Sequence, residues 1–245
     1  MITKQKTAFT LVEMSIVITI VALLIAGISG GSRLLFSSKI NKVISELEKI
    51  KTSINTFEGI YEALPGDFAK ASNFFSSSSC TNHATFSQLT CNGDGNGIIG
   101  SMYAADGKVG EHVYVYLHLS LAKTYKGDFE SSPNSSETKY ISINQNNTPF
   151  FELEKKGYYA FWGKDNGVTP IKILMGTRYE GSNSSNVGKP YSPAFTGVTG
   201  YRIDRKIDNG NFSNGNVIIS TGLSDTTVTC SKSSTSVGCY AHIYF

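Results

Sequence analysis

Residues 9–28, FTLVEMSIVITIVALLIAGI, decide how the rest of the chain is read. These twenty residues carry one charge, Glu13. A helix of that length rises about 30 Å, the thickness of a bilayer's hydrocarbon core. The flank before it, MITKQKTA, holds Lys4 and Lys6. A cleavable secretory signal needs an apolar core of roughly 7–15 residues and a small-residue site after it. Gly27-Ile28-Ser29 offers such a site, but the run is too long and contains Glu13. A plain membrane anchor fits the length and leaves Glu13 unexplained. An ionised carboxylate at the centre of a span costs about 2.5–3.5 kcal/mol. Glu13 stands near one interface, where the cost is smaller but still unfavourable. Carboxylates of this kind mark function and call for a partner.

The segment Lys6-Thr7-Ala8-Phe9-Thr10-Leu11-Val12-Glu13 closely resembles the cleavage and methylation signal of type IV pilins and of the pseudopilins of type II secretion. The resemblance implies a leader, residues 1–8, cut between Ala8 and Phe9 by a dedicated prepilin peptidase. It implies methylation of the new amino terminus at Phe9 and an assembly role for Glu13. One departure stands out: Ala8 occupies a position where that family nearly always has Gly. The physics agrees with the implied role. Cutting after Ala8 exposes an α-amino group that is protonated near neutral pH, and Glu13 lies one helical turn from it. Between subunits, the ammonium of one chain can meet the carboxylate of the next. Deleting one partner of such a buried pair costs about 3–5 kcal/mol, enough to reject subunits out of register. Lys4 and Lys6 before the span are balanced by Arg33, Lys39 and Lys42 after it, so orientation rests on the resemblance.

The helical pattern continues past the apolar run. Phe36, Ile40, Val43, Leu47, Ile50, Ile54, Phe57 and Tyr61 form a seam of 3.5-residue period, with the charged residues off it. The spacing predicts a helix from about residue 10 to 61, ended by Leu64-Pro65-Gly66, with Gly30-Gly31 and Ser37-Ser38 as weak points. The seam reads as packing against the protein's own domain rather than as a dimeric coiled coil. Three segments follow: residues 1–8 as leader, 9–64 as a long helix spanning the membrane over 9–28, and 65–245 as a globular head.

The head is long enough for one ordinary core. Segments 157–161, 170–175, 216–221 and 240–244 read as strands, rich in β-branched and aromatic residues and bounded by Gly or Asn. Segment 112–123 fits both a strand and a helix face; the resemblance favours a helix. The expected fold class is α+β, a long N-terminal membrane-spanning helix packed on a β-rich, pilin-like head.

Cys80 and Cys91 are eleven apart, Cys230 and Cys239 nine apart, and four cysteines allow three connectivities. The span places the head in an oxidising compartment, where pairing is expected. Two local pairs are expected, each stapling one loop; neither has zinc-site spacing.

A net charge of +3, with no run of Lys or Arg, gives no electrostatic grip on nucleic acid. An enzyme finds little support. His83, His112, His118 and His242 are scattered, reading as surface or core-edge residues, and the chain has no G-x-S-x-G, Walker loop or dinucleotide fingerprint. One stretch looks chemical. Asn92, Asp94 and Asn96, then Gly97, the Ile98 carbonyl and Ile99, reproduce the first eight positions of a calcium loop. Tyr103 stands where the closing acid belongs, so Glu111, a better candidate than Asp106, would have to fold in. The competing reading is a Gly-rich turn stapled at Cys91. Residues 204–211 read as the end of a short helix with Gly210 as its left-handed cap.

The sequence therefore predicts a bacterial inner-membrane protein with a single span and its head in the periplasm. It would be processed by the peptidase and methylase and assembled with other pilin or pseudopilin subunits into a filament. A membrane-anchored or secreted binding protein is the alternative.

Overall fold

The structure, a computed structural model, describes residues 10–75, 91–99, 111–129, 145–162, 171–178, 191–222 and 229–245. Helix α1 (Leu11–Tyr61) has 51 residues and rises about 77 Å. It runs unbroken through Gly30-Gly31 and Ser37-Ser38. Its two halves meet different surroundings. The apolar window in the first half is wholly exposed, with Leu11 87% and Ile28 71% accessible. In the second half, Ile40, Val43, Leu47, Ile50, Ile54 and Phe57 are at most 2% exposed, with Phe36 and Tyr61 partly buried at the ends of the row. The seam packs on the head, as its spacing predicts.

α1 ends at Tyr61, as the spacing predicts, just ahead of Leu64-Pro65-Gly66. Glu62 takes a left-handed conformation (φ 51°) while its amide still bonds the Glu58 carbonyl at 2.9 Å. That conformation costs a non-glycine residue roughly 1–2 kcal/mol. The offset is packing: Ala63 and Leu64 turn back onto the core instead of continuing along the helix axis. A short helix α2 (Ala71–Phe74) follows, then a 3-10 turn (Glu111–Val113) leading into α3 (Tyr114–Leu121). Segment 112–123 is thus helical. Leu117 and Leu119 are both buried because α3 is covered on most of its circumference, which hid its period.

The sheet is antiparallel throughout, in the order β1 (Phe150–Glu152), β2 (Lys156–Trp162), β3 (Lys172–Gly176), β6 (Val237–Tyr244), β4 (Phe195–Thr196), with β5 (Val217–Thr221) also on β6. All four expected strands are present. β6 begins at Val237 rather than at residue 240, because pairing with β4 and β5 extends it through Gly238 and Cys239. β3 begins at Lys172, two residues after the expected start at 170. The short edge strands β1 and β4 carry too few residues to show alternation.

Helix α4 (Gly197–Ile207) starts at Thr196, whose hydroxyl accepts the Thr199 amide at 3.2 Å. Arg205 and Lys206 in its last turn complement the helix dipole. The Lys206 ammonium reaches back to Asn41 Oδ1 at 2.5 Å, tying α4 to α1.

Candidate functional site

Two places carry the residues singled out from sequence. The first is the start of α1. Thr10 is extended (φ −77°, ψ 154°), and its hydroxyl accepts the Glu13 amide at 3.2 Å. In return, Glu13 Oε2 accepts the Thr10 amide at 2.8 Å and the Thr10 hydroxyl at 2.9 Å. This reciprocal capping box satisfies amides that have no partner inside a helix. It also fixes a carboxylate at the positive end of the helix dipole. The other polar side chains of the apolar run behave likewise. The Ser15 hydroxyl donates to the Val12 carbonyl and the Thr19 hydroxyl to the Ser15 carbonyl, each at 2.8 Å. With its polar groups satisfied internally, the helix suits a medium without water. Ala8 and Phe9 lie outside the described residues.

The second place is the loop around residue 94, and its centre is a residue the sequence reading missed. Asp67 is 2% exposed. Its Oδ1 accepts the amides of Gly95 (2.7 Å) and Asn96 (3.1 Å), and its Oδ2 accepts that of Gly97 (2.7 Å). Glu111 Oε1 accepts the Asp94 amide at 2.7 Å. One carboxylate oxygen from each of Asp67, Asp94 and Glu111 lies within 4.8 Å of the others. Two glycines allow this approach. A Cβ on Gly93 would fall 2.4 Å from the Asp67 backbone, and one on Gly66 (φ +95°) would fall 2.7 Å from the Glu111 carbonyl oxygen. Burial pushes the Asp67 carboxyl above the usual carboxylate range, offset in part by the Gly97 and Gly95 amides.

The calcium-loop residues therefore separate. Asp94 and Glu111 come together as expected. Asn92 does not join them: its carbonyl oxygen accepts the Ser72 amide at 2.8 Å and its amide donates to the Ser72 hydroxyl at 3.1 Å. Asn96 Oδ1 accepts the Ile98 amide at 2.8 Å, folding the turn on itself. The carboxylates brought together for a hard cation would be those of Asp67, Asp94 and Glu111. The signal for Asp67 was weak, a single Asp after Pro65-Gly66, remote in sequence from the loop it organises.

His118 holds this region together and corrects the reading of the histidines as surface or core-edge residues. It is fully buried, with its ring nearly parallel to those of Phe57 (6.0 Å) and Tyr114 (6.1 Å). Nδ1 accepts the Gly66 amide at 2.8 Å, so Nε2 carries the proton and donates to the Cys91 carbonyl, also at 2.8 Å. Burial lowers its pKa to about 4. His118 thus connects α1, α3, the Gly66 turn and the Cys91 loop.

Cys230 and Cys239 form a disulfide with Cα atoms 5.2 Å apart. Cys91 is also disulfide-bonded, while Cys80 lies outside the described residues. At the end of α4, Gly210 is left-handed (φ +73°) as expected, but the helix cap is Asp208, two residues earlier. Gly210 instead donates its amide to the buried Asp204 Oδ1 at 3.0 Å. Asp208 Oδ2 accepts the Asn216 amide at 2.6 Å, which fixes the start of β5.

In comparisons with known proteins, the family described as "Prokaryotic N-terminal methylation motif" matches residues 3–29. No curated protein and no solved structure matches the chain. The match spans the basic flank, Ala8, Phe9, the capping box at Glu13 and the exposed apolar half of α1. The long apolar helix and the antiparallel head give a pilin-like α+β fold. Residues 3–29 carry the N-terminal methylation motif that is the signature of type IV pilins and pseudopilins.

Proposed function

We propose that this chain is a structural subunit of a bacterial type II secretion pseudopilus or type IV pilus-like filament. It is made as a precursor with leader 1–8, cleaved after Ala8 and methylated at Phe9. Residues 9–28 then hold it in the inner membrane with head 65–245 in the periplasm. Assembly proceeds through the helix of residues 9–64, the same apolar face exchanging lipid for neighbouring subunits.

The observation that carries this reading is the exposed apolar half of α1 with one carboxylate at its start. The head covers only the second half, so another medium must cover the first. A membrane accounts for the length; the capping box holds Glu13 at the helix start, and its charge in an apolar run favours a cationic partner.

The test is Glu13→Ala in cells that carry the peptidase. Insertion and the head should persist, since a spanning helix gains by losing a charge. Incorporation into filaments should fall, because the neighbour's Phe9 ammonium loses its counterion. Normal incorporation would remove the assembly role. Genomic neighbourhood, and external fibres on overexpression, separate a pilus from a secretion pseudopilus.

A further inference from the structure

Between α1 and α4 lies a cleft of about 800 Å³. Its floor is apolar: Ile40 is buried, and Val198 and Tyr201 are half-buried beside it. Its rim is cationic, with Arg33 from α1 and Arg202, Arg205 and Lys206 from α4, all four exposed. Arg202 lies over the Phe36 ring at 5.5 Å and Lys206 bonds Asn41 Oδ1, both neutral groups. No carboxylate lines the cleft, and among the described residues none of its four cations forms an ion pair. Along α1 no acid occurs between Glu13 and Glu46. An apolar floor inside a polar, arginine-rich rim has the make-up of a protein-binding surface.

The spacing of the charges specifies the partner. Arg202, Arg205 and Lys206 are spread over about 6 Å of α4, with Arg33 on the α1 side. Separate cations match several carboxylates carried on one chain, as in the reading of acidic motifs by arginine clusters; a single small anion would engage only part of them. The floor asks in addition for an apolar side chain among those carboxylates. The level of the cleft leaves it open to water. Phe36 and Asn41 follow Ile28 by eight and thirteen residues, about 12 and 20 Å along α1. The headgroup layer above a span ending at Ile28 is roughly 5–7.5 Å deep, so the α4 cations at those two levels stand beyond it.

We propose that this cleft docks a peptide segment of a partner protein in which acidic residues flank apolar ones. The apolar side chains enter over Ile40, Val198 and Tyr201. The carboxylates take the guanidinium groups of the rim, whose planar forks suit bidentate pairing. The placement in water rests on the membrane-anchored reading above; docking is measured without filaments, so the two fail separately.

The test measures the fluorescence anisotropy of a labelled peptide, Glu-Leu-Phe-Glu-Leu-Glu, with the full chain in non-ionic detergent, empty micelles giving the baseline. The unmodified chain should bind this peptide. It should bind far more weakly two controls, one with Gln for each Glu and one with Ser for each apolar residue. Arg202→Gln with Arg205→Gln should weaken binding about fivefold per arginine removed. Lys70→Gln with Lys155→Gln, the same change of net charge away from the cleft, should leave it unaltered. Ser37→Trp, which fills the cleft from α1, should abolish it. A full circular-dichroism signal and an intact Cys230–Cys239 bond would show that the variants are folded. No binding of the peptide, equal binding of the Ser control, or unchanged binding in the Arg202/Arg205 variant overturns the proposal. Self-association of the unmodified chain that this variant abolishes, without peptide binding, would give the cleft to a second copy and overturn it too.

Discussion

Glu13 Oε2 accepts both the amide and the hydroxyl of Thr10, at 2.8 and 2.9 Å, so the carboxylate proposed to guide assembly also caps the helix. The two duties separate by substitution. Gln can take the acidic residue's place in a capping box but carries no charge. Glu13→Gln should therefore keep the helix start ordered while reducing filament incorporation. Thr10→Val does the reverse. It removes the hydroxyl acceptor and should weaken the first turn by about 1 kcal/mol, leaving the charge. Amide hydrogen exchange at residues 11–14 in micelles, beside an assembly assay, reads both; equal effects of the two variants on assembly would contradict the division.

His118 should make the head acid-sensitive. Its pKa is lowered to about 4 in the fold against an ordinary value near 6.5. Between those values the unfolded chain binds more protons, so this contribution is complete above about pH 6.5 and is lost as pH falls toward 4. The full effect is on the order of 3 kcal/mol. Asp67 opposes it, because its raised carboxyl favours the fold when protonated, an advantage lost as pH rises through its folded pKa. His118→Gln can keep both hydrogen bonds without titrating. Denaturant midpoints measured across that range for the detergent-solubilised chain and this variant should converge at low pH. Parallel curves would show that His118 does not titrate as its burial requires.

The carboxylates of Asp67, Asp94 and Glu111 should respond to calcium. Three such groups within 4.8 Å repel one another unless a proton or a cation is shared. Calcium gathers about 6–8 oxygens, so waters must complete the set, and binding to the folded head alone raises its melting temperature. Millimolar calcium should raise the midpoint of the solubilised chain relative to chelator, and Asp94→Asn should shrink the increment. Equal midpoints with calcium and with chelator in the unmodified chain would leave residues 92–99 as a Gly-rich turn organised by Asp67.

What the sequence disclosed follows from the range of the interactions. α1 was legible because its two patterns, continuous apolarity and a 3.5-residue seam, repeat over many turns. β2, β3, β5 and β6 were legible because each holds at least five residues of β-branched or aromatic character. The helix end at Tyr61 was legible too, but not the left-handed Glu62 that makes it, since nothing local favours that conformation; burial of Ala63 and Leu64 imposes it. Asp67 was hidden for a similar reason: its three amide donors lie 28 to 30 residues away. His118 stood in an ambiguous helix, and only tertiary packing brings Gly66 and Cys91 to its two nitrogens. Within the calcium pattern, the spacing caught Asp94 but could not show that Asn92 would be taken by Ser72.

If the chain is a processed filament subunit, the mass of its mature amino terminus will show it. The protein is extracted from membranes of cells that carry the peptidase, then digested and sequenced by mass spectrometry. The terminal peptide should begin at N-methylated Phe9, with Lys4 and Lys6 lost in the leader. A chain that keeps residues 1–8, or one that begins at Gly30 as a secreted protein would, contradicts it.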